Sequence, residues 1–109
     1  MINDLETVID CVLLCFEKQY LLDLKIVSWF HEVIPITDRG IEVYRVITHG
    51  IAKSKIMIYD FTAITYVAKL SEEFNPVEMK LFFSNGKVFD IRPEVELEKC
   101  LKELGWGSR

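Results

Sequence analysis

Val77-Glu78-Met79-Lys80-Leu81-Phe82-Phe83-Ser84-Asn85-Gly86-Lys87-Val88-Phe89-Asp90-Ile91-Arg92 is the stretch whose pairing decides how this chain folds. Asn85-Gly86 marks a hairpin, and the simplest connection for that dipeptide is a two-residue turn. Such a turn sets Leu81 against Asp90 and Met79 against Arg92, which mixes apolar and charged side chains on one face. A three-residue loop, Ser84 to Gly86 with Gly86 in the left-handed region, removes the conflict. It pairs Leu81 with Phe89 and Met79 with Ile91 on a core face. The opposite face then matches Lys80 with Asp90 and Glu78 with Arg92, two complementary charge pairs. A slip of one residue moves every side chain to the wrong face, so the sequence predicts the three-residue loop.

Working outward, Ile41 to Thr48 and Lys55 to Phe61 are rich in β-branched and aromatic residues and read as strands, joined by a loop holding His49, Gly50 and Ser54. Ile56 to Tyr59 is apolar on both faces, as a central strand would be. Asp60-Phe61-Thr62 then opens a predicted helix with Ala63, Val67, Leu70 and Phe74 along one side, Lys69 and Glu73 four apart on the other, and Asn75-Pro76 as its stop. At the N-terminus, Asn3 and Glu6 form a capping box. Leu5, Val8, Ile9, Val12, Phe16 and Tyr20 follow at helical spacing, which predicts a helix over residues 4–20. Residues 21–34 fit two periods. As a helix they put Ile26, Val27, Phe30, Val33 and Ile34 on one face; as a strand they align Leu24, Ile26, Phe30 and Ile34. The helix, ending before Pro35, is the expectation. A last helix begins after Pro93 with the stripe Leu97, Cys100, Leu101 and Leu104, ends at Gly105, and folds Trp106 back on Leu101.

The expected order is therefore α-(α)-β-β-α-β-β-α. That describes an α+β domain spanning residues 1–109, with a single sheet of about four strands, antiparallel or mixed, and helices packed mainly on one face. Half of the 109 residues are apolar, which excludes disorder. Thirteen basic against 17 acidic residues leave a net charge of −4, which argues against a nucleic-acid backbone or an anionic membrane as the main partner. The longest apolar runs, such as Cys11 to Phe16, are far too short to span a bilayer. Asp4, Glu6 and Asp10 stand where a secretory signal carries basic residues. Cys11, Cys15 and Cys100 cannot all pair within one chain, and none lies in a Cys-x-x-Cys arrangement, so reduced thiols in a cytoplasm are expected. The rival is a metal site built from Cys11, Cys15 and either Cys100 or a histidine, but zinc ligands are usually spaced more tightly.

The sharpest catalytic constellation is Asp60 at the end of an apolar strand, followed by Glu78-Met79-Lys80 on the next. An acid followed by Glu-x-Lys resembles the metal-dependent nucleases of the restriction-endonuclease kind, in which two carboxylates hold Mg²⁺ and the lysine assists the attacking water. Cross-strand pairing with Arg92 and Asp90 accounts for Glu78 and Lys80 equally well. His49-Gly50-Ile51-Ala52-Lys53-Ser54 lacks the Gly-Lys-Ser/Thr core of a phosphate loop. Neither His31 nor His49 has a local nucleophile beside it.

Ile58-Tyr59-Asp60-Phe61-Thr62, with a helix and then a strand after it, resembles the middle of an anti-sigma-factor-antagonist (STAS) domain over about a third of the chain. Thr62, Ala63 and Thr65 stand where that family carries its phosphorylatable serine and glycine, and the N-terminal third does not match.

The expected function is a small acidic protein-binding module, a subunit, inhibitor or immunity-type protein, that occludes a partner's surface without catalysis and without a cofactor. Trp29, Tyr44 and Phe82 are the expected partner-binding residues, with a homodimer or a heterologous protein covering them. The alternative is a nuclease-like or small-ligand-binding domain using Asp60, Glu78 and Lys80, with Asp60 and Glu78 as metal ligands.

Overall fold

The computed structural model describes residues 4–36, 41–70 and 72–91. A single helix, α1 (Leu5–Tyr20), precedes five strands: β1 (Asp23–Ile36), β2 (Ile41–Lys53), β3 (Ile58–Leu70), β4 (Glu73–Phe83) and β5 (Val88–Ile91). The strands form one antiparallel sheet in the order β1-β2-β3-β4-β5, each beside its neighbour in sequence. Among the described residues the chain is thus mostly β with one helix. This corrects the expected α+β arrangement of several helices on a four-stranded sheet.

Two predicted helices are strands. Residues 23–34 form most of β1, and residues 62–70 and 73–74 lie in β3 and the start of β4. In both, apolar side chains occupy alternate positions on both faces, so the helical spacings are a subset of a two-sided strand pattern. Along β3, Phe61, Ala63, Thr65 and Val67 are buried while Thr62, Ile64 and Tyr66 face the other way. With no helix after Phe61, the resemblance to a STAS domain loses its structural basis. The strands expected at 41–48 and 55–61 run on to Lys53 and Leu70, so His49 and Gly50 belong to β2 and the connection shrinks to residues 54–57. Ser54 closes it: its N–H donates to the Met57 carbonyl at 2.9 Å, and its hydroxyl accepts from the N–H of Met57 at 3.1 Å.

The β4–β5 hairpin follows the predicted register. Met79 faces Ile91, Lys80 faces Asp90 and Leu81 faces Phe89. Gly86 donates to the Phe83 carbonyl at 3.0 Å, Phe83 donates to Lys87 at 2.9 Å, and Gly86 has φ +91°, which closes the three-residue loop. The Glu78–Arg92 pair and the C-terminal helix with Cys100, Leu101 and Trp106 lie outside the described residues.

Helix α1 matches its predicted span, but the cap is Asp4, one residue after Asn3. Its carboxylate accepts from the Glu6 N–H at 2.9 Å. Leu5, Val8, Ile9, Val12, Leu13 and Phe16 are buried against the inner sheet face. Sixteen residues make about 24 Å of helix, whereas a 13-residue strand runs about 43 Å, so α1 covers just over half the sheet's length. The sheet beneath is lined by small side chains in β2 and β3, namely Thr48, Gly50, Ala52, Ala63 and Thr65, all buried. Small residues on the sheet make room for the large ones on the helix. Phe16 seats its ring against Phe83 and Phe89, with centroids 6.0 and 5.3 Å away.

Two bulges shape the sheet. The β1–β2 register shifts between Ile26 and Ser28, leaving Val27 as the extra residue. The β3–β4 register shifts between Tyr66 and Val67, where β4 contributes the extra Val77. Pro76 sits at this second bulge, beyond the part of β4 that pairs with β5, so its missing N–H costs no ladder bond to β5.

Candidate partner-binding surface

The sheet face opposite α1 has a composition set by strand register. Cross-strand pairing aligns Phe30 of β1 with Ile47 of β2, Ile47 with Ile64 of β3, and Ile64 with Lys80 of β4. The next row runs Ser28, His49, Thr62, Phe82 and Val88. On the other side of the first row lie Glu32, Arg45, Tyr66 and Glu78. Phe30 is 50% exposed, Phe82 37% and Val88 58%, and Ile47 and Ile64 are half-buried between them. The apolar side chains therefore form a band that steps from the first row to the second between β3 and β4, with Lys80 and Asp90 continuing the first row and Ser28, His49 and Thr62 beginning the second.

The borders are organised. Arg45 makes an ion pair with Glu32 across the β1–β2 boundary. The hydrogen bond and charge of Glu32, with a smaller contribution from Tyr66, hold the Arg45 guanidinium pKa above its ordinary value. His49 Nδ1 lies 3.1 Å from the Thr62 hydroxyl, and Lys80 Nζ lies 3.8 Å from Glu78. Polar atoms at the edge of an apolar band are thereby tied to one another, which fixes side chains before any partner arrives.

The three residues expected to bind a partner are not brought together. Phe82 is on the outer face as expected. Tyr44 is not, because it pairs with Val33 and Val67 on the α1 side of the sheet, where its ring meets Phe74 edge-on at 5.3 Å. Trp29 shares that inner face and is half-buried at its β1 margin, 6.1 Å from the His31 ring. Phe30, Ile47, Ile64 and Val88 were missed by the sequence reading. Phe30 and Ile64 were hidden by the helices expected at 21–34 and after Phe61, while Ile47 and Val88 lay in expected strands whose outer face was not read for apolar content.

The nuclease constellation is also dispersed. Asp60 lies level with Ser84, whose hydroxyl accepts from its N–H at 3.2 Å. Lys80 is four residues away along β4 and Glu78 six, which is about 13 and 20 Å at ~3.3 Å per residue. Asp60 and Glu78 therefore cannot share one cation, and no group of three His, Cys, Asp or Glu side chains among the described residues converges as metal ligands. Cys11 is buried on the core side of α1 and Cys15 is half-buried.

Two grooves flank α1. One, of about 450 Å³, lies between the helix and β1, with Asp10, Glu17, Leu24 and Ile26 among its walls. Burial raises the pKa of both carboxyls above the ordinary range. Glu6 and Asp4 push Asp10 further up, while for Glu17 a backbone hydrogen bond at Leu24 opposes the rise and Asp23 adds to it. The other, of about 310 Å³, opens at the helix C-terminus between Tyr20, Tyr59, Phe83, Lys87 and Phe89. None of Asp60, Glu78 and Lys80 lines either groove.

In comparison with known proteins, the chain matches no family model, no curated protein and no solved structure. No helix among the described residues is long and apolar enough to cross a membrane.

Proposed function

We propose that this chain is a protein-binding module that works by covering a partner's surface with the outer face of its sheet. The observation that supports this is the band Phe30, Ile47, Ile64, Phe82 and Val88. Phe30, Ile47 and Ile64 are cross-strand partners, and Phe82 and Val88 are partners one row over. The group is partly exposed, with the Arg45–Glu32 and Lys80–Glu78 ion pairs beside it. An apolar centre with a polar rim is the usual anatomy of a protein interface, and aromatic residues such as Phe30 and Phe82 are favoured in its core. A surface band that lines neither groove suits a protein surface better than a small molecule, which binds best in a concavity that buries most of its area.

A photo-crosslinking amino acid at Phe30 or Phe82, in the source cell, tests this. Both positions should yield the same discrete adduct, and Ile64→Lys, at the centre of the band, should abolish it. The same probe at Leu21, which is 87% exposed at the end of α1, should give none. No adduct from the band, or an equal yield from all three positions, would overturn the proposal.

A further inference from the structure

The outer edge of β1 presents a different surface from the outer face. β1 pairs only with β2, so one side of a 14-residue strand has no neighbour among the described strands. Every residue of β1 whose side chain is described is half-buried or exposed, and no described strand pairs along this edge. Long open edges recruit other strands, and the identity of the recruit depends on the pattern they present.

We propose that β1 pairs with β1 of a second copy, antiparallel about a two-fold axis at Trp29, to make a continuous ten-stranded sheet. Faces must match across such a junction. Register with β2 puts Leu24, Ile26, Trp29, His31 and Val33 on the α1 side, and Lys25, Ser28, Phe30, Glu32 and Ile34 on the outer side. With Trp29 opposite its own copy, Ser28 meets Phe30 of the second copy on the outer face. Val27, already the extra residue towards β2, is extra towards the new neighbour as well. Beyond it Ile26 meets His31, Lys25 meets Glu32, Leu24 meets Val33 and Asp23 meets Ile34. All of these pairs are matched in face.

Charge selects this register and this occupant. The two-fold axis makes the Lys25–Glu32 pair twice, once at each end of the junction, and each Glu32 then lies between Arg45 of its own chain and Lys25 of the other. A slide by two residues, the smallest that preserves the faces, sets Lys25 against Ile34 and Glu32 against Ser28, so both ion pairs are lost. Opposite charges directly across strands are favourable and like charges unfavourable, and a closed two-fold pair leaves no growing β1 edge. This dimer uses the edge and, of the outer band, brings only Phe30 to the junction, so its failure would leave the proposed function standing.

Sedimentation equilibrium at micromolar concentration tests it, with circular dichroism to confirm the fold of each variant. The unaltered chain should sediment at twice 12.7 kDa. Lys25→Glu and Glu32→Lys each place like charges together at both ends of the junction, and each should weaken association by about tenfold or more. Mixed in equal amounts, the two single variants should restore the dimer, because each then meets the opposite charge, and the double variant K25E/E32K should dimerise alone. If Glu32→Lys fails to fold for want of its Arg45 partner, Lys25→Glu alone still decides. A monomeric unaltered chain, or a dimer indifferent to Lys25→Glu, would overturn the proposal. So would a dimer broken by Phe82→Glu and not by Lys25→Glu.

Discussion

Single residues carry much of the geometric specification here, and two of them are tightly constrained. An ideal Cβ on Gly50 would lie 2.2 Å from the Lys25 carbonyl oxygen and 2.5 Å from the Phe61 ring. Gly50 is buried and paired with Phe61 across the β2–β3 boundary, so the aromatic ring fills the space a side chain would occupy. The Lys25 carbonyl is backbone held by the β1–β2 pairing and cannot move aside freely. Gly50→Ala should therefore lower stability by about 1–3 kcal/mol, read as a fall in the denaturant midpoint with little change in slope. Leu21 is the converse. It ends α1 in the left-handed region at φ 54°, a conformation that costs a residue with a Cβ roughly 1–2 kcal/mol, and its side chain is almost fully exposed. Leu21→Gly should raise the melting temperature, since glycine's chain-entropy cost of about 0.5–1 kcal/mol offsets only part of the relief. A decrease would show that Leu21 packs against something. The Gly86 turn was legible in the sequence because its dipeptide is specific and the wrong register visibly mixes charge with core. Gly50 was not, since its constraint comes from a ring eleven residues away and a backbone atom on another strand.

At the scale of elements, legibility followed how one-sided each segment is. α1 has one apolar stripe and a polar remainder, so its period is unambiguous. β1 and β3 are apolar on both sides, and a sheet that is covered on one face and apolar on the other offers no alternation to count. Ala63, Val67, Leu70 and Phe74 fit a helix stripe only because Ile64 and Tyr66 were left out of the count, and Thr62, Ile64, Thr65 and Val67 supply the β-branched content that a strand prefers. Trp29 was judged by the wrong period for the same reason, whereas Tyr44 was read on a strand and assigned to the wrong face of it. The helix itself carries an electrostatic cost that pH should expose. Asp10 titrates above its ordinary value, chiefly through burial and then through Glu6 and Asp4. A carboxyl pKa raised by folding means that the folded state binds the proton more tightly. Its contribution is most favourable at acid pH and is lost as pH rises through the folded value. Asp10→Asn should therefore raise the melting temperature at pH 7, and the gain should vanish as pH falls below the ordinary aspartate range. A gain that persists at acid pH would point to packing and not to charge as its cause.

Among the described residues the molecule is a sheet with two faces of different fate, one packed against α1 and one carrying partly exposed apolar side chains. Only the first was accessible from composition, which shows that the chain has enough apolar residues for a core but not how they divide between faces. The division makes a prediction about where stability resides. On the closed face Phe16 is almost completely buried and its ring meets Tyr20, Phe83 and Phe89, which ties the helix to β4 and β5 at once. Truncating such a residue costs about 3–5 kcal/mol, against a total of about 5–15 kcal/mol for an ordinary domain. Phe16→Ala should thus remove a large share of the folding free energy and lower the melting temperature by about 12 °C or more. Phe82 is of the same type and lies one residue from Phe83, yet it points to the outer face and remains partly in water. Phe82→Ala should cost about 1 kcal/mol or less while removing part of the band assigned to a partner. Melting curves of the two variants beside the unaltered chain test the division directly. Equal losses would mean that the outer face is itself packed in the isolated protein, and the band would then be a second core instead of a binding surface.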